Sequence, residues 1–172
     1  MQISVAIIGA TGYTGAELVR LLLRHPHVEI AALMARRAQP AGQQLADVVP
    51  QLRGMCGLRV EAFDADAVAA RARVAFAALP HGESAPVVQA LRARGVTVVD
   101  LSADFRLRDP AAYARWYGSA EHPTHPAPAL LDEAVYGLPE RHRASLRGAR
   151  LVAAPGCYPT ATILAIAPLL AR

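Results

Sequence analysis

A cysteine near the end of the chain, Cys157, has a sequence context that could make it a nucleophile. An apolar run over 151–154 predicts a strand, a Pro-Gly pair predicts a turn, and an apolar segment over 160–170 predicts a helix that Pro159 opens. The unpaired N–H groups and the dipole at a helix N-terminus favour an anion, so the thiolate is favoured there and the cysteine becomes more reactive. A small buried residue at a tight turn is the alternative interpretation of the same pattern.

A glycine-rich turn near the start of the chain is the second element whose sequence suggests a functional role. The apolar run 3–8 predicts a buried strand, glycines follow with the spacing G-x-x-G-x-x-G, and the amphipathic segment 16–24 predicts a helix that ends before Pro26. In this order, glycines let the backbone approach a pyrophosphate and the helix N-terminus supplies N–H groups. A purely structural turn is the alternative. The predicted cofactor-binding residues of this loop are Gly9, Thr11, Gly12, Tyr13, Thr14 and Gly15.

The end of the second predicted strand, over 29–35, favours NADP over NAD. An acidic residue at that end would hold the ribose 2′-OH of NAD. Glu29 has the expected separation of ~20 residues from the first glycine but lies at the other end of the strand, whereas Arg36 and Arg37 follow its last residue. Guanidinium groups there would pair with a 2′-phosphate. Solvated arginines without a ligand are the alternative.

Two later predicted strands, over 74–79 and 96–102, run into polar segments. Open α/β sheets bind ligands beyond the carboxyl ends of their strands, so these segments are candidate ligand contacts. The predicted contacts are Pro80, His81 and Gly82 for the cofactor, and Ser102 and Arg106 for an anionic substrate. The role of His81 stays open between a cofactor contact, an acid or base, and an ordinary loop histidine. Asp104 is interpreted as the ion-pair partner of a nearby arginine.

The alternation of strands and helices predicts a doubly wound α/β domain with a parallel, Rossmann-like sheet over residues 1–150. The chain has 172 residues, of which 53% are hydrophobic and 19% charged, which is typical of a folded domain with a substantial core.

Composition excludes several other classes of protein. The net charge is +4, but the arginines are scattered and lack interleaved aromatic residues, so no nucleic-acid partner is predicted. No apolar run reaches the roughly 20 residues of a membrane span, and the first residues lack a signal-peptide pattern, so we expect no membrane association and a cytoplasmic protein. Cys56 and Cys157 are far apart and not in metal-ligand spacing, so neither a disulfide framework nor a metal site is predicted.

Five motifs together resemble the N-acetyl-γ-glutamyl-phosphate reductase family of arginine biosynthesis. They occur in the family's order and span nearly the whole chain: GATGYTGAEL (9–18), LPHG (79–82), DLSADFR (100–106), AVYGLPE (134–140) and PGCYPT (155–160). Thr11 stands where many members carry serine, and either hydroxyl can serve there.

The resemblance implies NADPH-dependent reduction of N-acetyl-glutamyl 5-phosphate to the 5-semialdehyde, with release of phosphate. Cys157 falls on the family's nucleophile, which forms a thioacyl intermediate. The resemblance also implies that residues 151–172 open a second α/β domain, that this domain supplies the acid/base histidine from beyond Arg172, and that the full chain forms a homo-oligomer. We therefore expect the 172 residues alone to bind NADP(H) weakly and to turn over little or no substrate.

Two other interpretations stay open at this stage. A related reductase acting on an aspartyl or aminoadipyl phosphate would share the fold, the thiol and the cofactor. A non-catalytic NADP-binding module would share the fold but would need no reactive cysteine.

Overall fold

The computed structural model describes residues 2–35, 42–120 and 122–170. Arg36 and Arg37, the predicted contacts for a 2′-phosphate, lie outside these residues. The strands are β1 (Ile3–Ile8), β2 (Val28–Ala35), β3 (Val60–Ala62), β4 (Val74–Ala77), β5 (Thr97–Asp100), β6 (Ala134–Tyr136) and β7 (Leu151–Ala153). The helices are α1 (Tyr13–Leu22), α2 (Leu45–Val48), α3 (Ala65–Arg71), α4 (Ser84–Ala93), α5 (Pro110–Tyr117), α6 (Pro139–Leu146) and α7 (Cys157–Leu170).

The described strands form one sheet in the order β3-β2-β1-β4-β5-β7-β6, and every neighbouring pair is parallel. Helices cover both faces because successive side chains of a strand point to opposite sides. On one face Ala6 and Ile8 pack with Val68 of α3 and Leu91 of α4. On the other face the alternate residues of β1 pack with α1 and α2. The predicted doubly wound parallel sheet is confirmed.

Strands β6 and β7 extend the sheet beyond what the sequence predicts. Residues 134–136 follow a proline-rich stretch and are too few to show a strand pattern. They become a strand because β7 provides hydrogen-bonding partners, with Ala134 opposite Leu151. On its other side β7 pairs with β5, with Val98 opposite Leu151. β7 is therefore an internal strand of the same sheet, and the domain boundary between residues 150 and 151 stays a prediction.

Helix α7 begins at Cys157, three residues before the predicted start at Thr160. Pro159 is its third residue, a position where proline is tolerated because N–H groups of the first turn have no intrahelical acceptor. None of the residues of α7 is buried, and Leu169 and Leu170 are 69% and 77% exposed.

Replacement of Leu151 by alanine tests whether β7 belongs to the core. Leu151 is fully buried, so we expect the Leu151→Ala variant to lose about 2–5 kcal/mol of unfolding free energy through the cavity that it creates. The matched change at the exposed Leu169 should cost less than about 0.5 kcal/mol. Urea denaturation followed by circular dichroism measures both values. Equal losses in the two variants would contradict the placement of β7 inside the sheet.

Candidate active site

The glycine-rich turn packs tightly on the sheet but leaves one glycine open. Gly9 has φ +85°, and a Cβ there would lie 2.3 Å from the carbonyl oxygen of Ala78. A Cβ on Gly15 would lie 2.2 Å from the carbonyl oxygen of Gly9, so the first turn of α1 rests directly on the loop backbone. A Cβ on Gly12, by contrast, would have its nearest neighbour at 3.6 Å. Because no side chain caps α1, the open surface at Gly12 and the helix N-terminus fit a bound pyrophosphate.

A crevice of about 320 Å³ lies beside this turn. It occupies the point where the chain winds to either side of β1, with β2 on one side and β4 on the other, which is where doubly wound sheets bind ligands. Its lining residues are Gly12, Tyr13, Thr14, Ala78, Leu79, Pro80 and Leu101. The structure therefore brings together four of the predicted cofactor residues, three from the loop and Pro80.

A second cleft, of about 410 Å³, lies on the other side of the same turn. It is bounded by α1 and by residues 48–52, and Thr11, Gly12 and Tyr13 line it as well. The side chain of Tyr13 is 97% exposed. The predicted loop residues 11–13 consequently form a ridge between two clefts, each large enough for part of a dinucleotide.

His81 lies at the carboxyl end of the neighbouring β4, as predicted. It is exposed, and its ring centroid lies 6.0 Å from that of Tyr117. Gly82, the next residue, is buried. The position at the sheet edge fits a cofactor contact, and the choice among the three roles for His81 stays a prediction.

Ser102 has a different environment from the one that a substrate contact needs. It is 5% exposed, its hydroxyl donates to Oδ2 of Asp100 at 2.6 Å, and the backbone N–H of Asp104 donates to that hydroxyl at 3.0 Å. Asp100 also accepts a hydrogen bond from the hydroxyl of Ser84. Burial raises the pKa of Asp100, while the bonds from Ser102 and Ser84 act in the opposite direction. Ser102 thus shapes the loop after β5 from inside the protein.

The interpretation of Asp104 as an arginine's ion-pair partner is wrong. Asp104 is fully buried, and its carboxylate accepts hydrogen bonds from the backbone N–H of Gly82 at 2.7 Å, the N–H of Ala85 at 2.8 Å and the hydroxyl of Tyr113 at 2.9 Å. Burial raises the pKa of Tyr113, and its bond to Asp104 raises it further. Its neighbours Ala103 and Phe105 are buried as well.

Arg106 joins two loops at the carboxyl edge of the sheet. Its Nε donates to the carbonyl of Ala154 at 2.8 Å, and its Nη2 donates to the carbonyl of Leu101 at 3.0 Å. Its Nη1 lies 3.1 Å from where a Cβ on Gly156 would stand. A cation therefore lies beside the turn that leads into Cys157, and the contact of Arg106 with an anionic substrate stays a prediction.

Cys157 is exposed and is the first residue of α7, whereas Cys56 is buried. The carbonyl of Gly156 accepts hydrogen bonds from the backbone N–H of Thr160 at 3.0 Å and from its hydroxyl at 2.8 Å, which fixes the start of the helix. The predicted location of the thiol at a helix N-terminus is confirmed. The alternative of a buried structural cysteine is contradicted by its exposure.

His125 is a buried histidine held in one tautomer. Its Nε2 contacts the backbone carbonyl of Asp104 at 2.7 Å, and its Nδ1 accepts a hydrogen bond from the N–H of Ala127 at 3.0 Å. A proton on Nδ1 would replace this acceptor with a donor. Burial lowers the pKa of His125, and the smaller contributions from Asp104 act in the opposite direction.

The stability of the fold should decrease in mild acid because of His125. Its pKa is lowered from 6.5 in the folded state, so the unfolded chain takes up a proton first and stability is lost as the pH falls below about 6.5. Urea unfolding between pH 8.0 and 5.0 should show this slope, and the His125→Asn variant should show a smaller one. The exposed His27 offers a matched control, because His27→Asn should keep the wild-type slope. Equal slopes in all three proteins would contradict the assignment.

The described residues contain no group of three or more His, Cys, Asp and Glu side chains placed to hold a metal ion. Within the same part of the chain, no helix is both long enough and apolar enough to cross a membrane.

Comparison with known proteins identifies relatives of the whole chain. Residues 4–149 match the family described as semialdehyde dehydrogenase, NAD binding domain. N-acetyl-γ-glutamyl-phosphate reductase of Desulforudis audaxviator is 53% identical over 99% of the chain and 48% of its own length. A putative [LysW]-L-2-aminoadipate 6-phosphate reductase of Thermomicrobium roseum is 51% identical over 98% of the chain and 46% of its own length. The chain spans about half the length of the curated relatives it matches, and the resemblance deduced from the motifs is confirmed.

Solved structures show the same fold. Aspartate semialdehyde dehydrogenase II of Vibrio cholerae aligns with a TM-score of 0.66 and 21% identity, over 98% of this chain and 46% of that one. A probable aspartate-semialdehyde dehydrogenase of Pseudomonas aeruginosa aligns with a TM-score of 0.65 and 28% identity, over 100% of this chain and 43% of that one.

Proposed function

Because the chain belongs to the family of semialdehyde dehydrogenase NAD-binding domains, we propose that it is the cofactor-binding and thiol-bearing part of an NADPH-dependent acyl-phosphate reductase. The observation that carries this proposal is the exposed Cys157 at the start of α7, at the same edge of the sheet as the crevice beside Gly12. A thiol and a nicotinamide at one edge suit a reaction in which a thioester accepts hydride.

The proposed reaction is the reduction of N-acetyl-glutamyl 5-phosphate to N-acetyl-glutamate 5-semialdehyde, a step of arginine biosynthesis. The thiolate of Cys157 attacks the acyl carbon, the C–O bond to phosphate breaks, and inorganic phosphate leaves. NADPH supplies the hydride that reduces the resulting thioester. The thiohemiacetal then releases the aldehyde and regenerates the thiol, with a proton carried by an acid/base group that we place outside the described residues.

The residues of this chain have distinct roles in that scheme. The turn around Gly12 and the N-terminus of α1 bind the pyrophosphate, and Pro80 borders the crevice on the β4 side. Arg36 and Arg37 are proposed to select the 2′-phosphate of NADP. The guanidinium of Arg106, beside Gly156, is proposed to attract the anionic substrate toward the thiol. The homo-oligomeric state of the full chain and a cytoplasmic location remain part of the proposal.

A second substrate is favoured by a specific observation. Relatives with 51% and 47% identity carry names of [LysW]-aminoadipate phosphate reductases. Their identity to this chain is close to that of the N-acetyl-γ-glutamyl-phosphate reductases. The shared chemistry, thiolate attack on an acyl phosphate followed by hydride transfer, is the same, and only recognition of the acyl side chain differs.

A pair of glycine variants separates cofactor binding from folding. A methyl group at Gly12 meets no atom closer than 3.6 Å, so Gly12→Ala should keep the thermal midpoint within a few degrees and yet weaken NADPH binding about tenfold by filling the approach to the pyrophosphate. A methyl group at Gly15 meets backbone at 2.2 Å, so Gly15→Ala should lower the thermal midpoint itself. NADPH fluorescence titration and thermal melts measure the two effects. Unchanged NADPH affinity in the Gly12 variant would contradict the pyrophosphate site.

The first half of the reaction tests the role of Cys157 in this chain. Incubation with N-acetyl-glutamyl 5-phosphate should release phosphate and leave an acyl adduct on Cys157, which intact-mass spectrometry and peptide mapping detect. The Cys157→Ala variant should give no adduct, while Cys56→Ala should behave like the wild type because Cys56 is buried. Stoichiometric adduct formation without steady-state turnover is the expected outcome for the 172 residues. A folded, NADPH-binding chain that is not acylated would favour the non-catalytic module, and acylation only by an aminoadipyl phosphate would favour the second substrate.

A further inference from the structure

The segment 101–106 lies between two turns that the proposed function requires to act together. It follows β5, which is hydrogen-bonded to β4 on one side and to β7 on the other. The turn after β4 contains His81 and borders the cofactor crevice, and the turn after β7 leads into Cys157. Neighbouring strands are about 4.8 Å apart, so one short segment after the middle strand can reach both turns.

The contacts of this segment with the first turn are made by the carboxylate of Asp104. Its two oxygens accept the backbone N–H groups of Gly82 and Ala85, at 2.7 and 2.8 Å, from the turn after β4 and the first turn of α4. The hydroxyl of Ser84 in the same turn donates to Asp100. Two buried carboxylates from one strand end thus bind the start of α4, whose N–H groups have no helical acceptor of their own.

The contacts with the second turn are made by Arg106, two residues further on. Its Nε donates to the carbonyl of Ala154, just after β7, while its Nη2 donates back to the carbonyl of Leu101 in its own segment. A planar guanidinium can make both bonds at once because its donors form a fixed fork. The backbone N–H of Ala154 also donates to the carbonyl of Asp100 at 2.8 Å.

The segment is itself anchored from behind. The hydroxyl of Ser102 links Asp100 to the N–H of Asp104. The ring of His125 contacts the carbonyl of Asp104, and it packs edge-on against Tyr113 with a centroid distance of 4.6 Å. Because the segment is held in this way, its hydrogen bonds to the two turns fix where each turn lies.

We propose that the segment 101–106 is a bracket that sets the position of the cofactor-side turn relative to the thiol-bearing turn, with Asp104 as the positioning residue for the first and Arg106 for the second. This rests on the proposed function, because a fixed separation matters only if a nicotinamide and the thiol react with the same acyl group. Neither side chain needs to touch the reacting atoms for this role.

Hydrogen exchange resolved by mass spectrometry tests the bracket without any ligand. In Asp104→Asn one acceptor oxygen becomes an NH₂ donor, so the amides of 82–85 should exchange about tenfold faster, the loss expected for one hydrogen bond to a charged group. Exchange in 155–160 should change less than about twofold. In Arg106→Lys the charge remains, but the ammonium group can no longer bridge the carbonyls of Ala154 and Leu101. The amides of 155–160 should therefore exchange about tenfold faster and those of 82–85 less than about twofold faster.

NADPH affinity gives the functional readout on the same proteins. Asp104→Asn should weaken NADPH binding about tenfold, whereas Arg106→Lys should alter it less than about twofold. Tyr113→Phe is the matched control, since it removes a hydrogen bond from the same carboxylate but leaves the bonds to Gly82 and Ala85, so 82–85 should stay protected. A structural role alone would lower the thermal midpoint of each variant without separating the two turns.

The outcomes distinguish the bracket from the proposed function. A wild-type chain that does not bind NADPH would overturn the cofactor assignment. Hydrogen exchange would then still show whether the segment 101–106 holds the two turns. A wild-type chain that binds NADPH, with the two turns loosened equally in both variants or in neither, would overturn the bracket alone. If Asp104→Asn does not fold, the exchange rates of the Gly82 and Ala85 amides in the wild-type chain test the proposal instead. Exchange at the rate of an unstructured peptide would refute their hydrogen bonds to Asp104.

Discussion

The parallel hydrogen bonding of β5 between β4 and β7 is the interaction on which the candidate site depends. Residues 97–100 pair with 74–77 on one side, and residues 98–100 pair with 151–153 on the other. In a parallel sheet all strands end at the same edge, so the turns that follow these three strands must meet there. The crevice border after β4, the segment with two buried aspartates and the start of α7 are adjacent for this reason, although residues 80 and 157 are far apart along the chain.

Two buried aspartates at that edge are compatible with an apolar core because every oxygen has donors at hand. Asp100 receives two hydroxyl groups and a backbone N–H, and Asp104 receives two backbone N–H groups and a phenol. An unpaired buried carboxylate would cost several kcal/mol. Among the described residues, no buried side-chain nitrogen or oxygen lacks a hydrogen-bond partner. The start of α4 and these carboxylates therefore stabilise each other.

The thiol has the opposite kind of environment. Cys157 is exposed on a helix that buries none of its residues, and apolar side chains of α7 such as Ile166 and Leu169 face solvent to 44% and 69%. The chain covers 48% of the length of a relative that is 53% identical to it. Arg106 holds the turn before this helix through its bond to the carbonyl of Ala154, whereas no residue of the helix itself is buried.

Local sequence was enough to determine the fold class, the glycine turn and the position of the thiol at a helix start. Strand-turn-helix order, glycine spacing and the Pro-Gly-Cys context depend on backbone conformations that neighbouring residues impose. Tertiary structure alone decided the rest. Residues 134–136 are a strand only because β7 lies beside them. Asp104 accepts hydrogen bonds from the start of α4, about 20 residues earlier, and does not pair with an arginine. A buried carboxylate needs hydrogen-bond donors, and here only the tertiary fold brings them close. The side chain of Ser102 is buried for the same reason. Its hydroxyl donates to the buried carboxylate of Asp100 and accepts from the N–H of Asp104, and both groups need partners because they are buried.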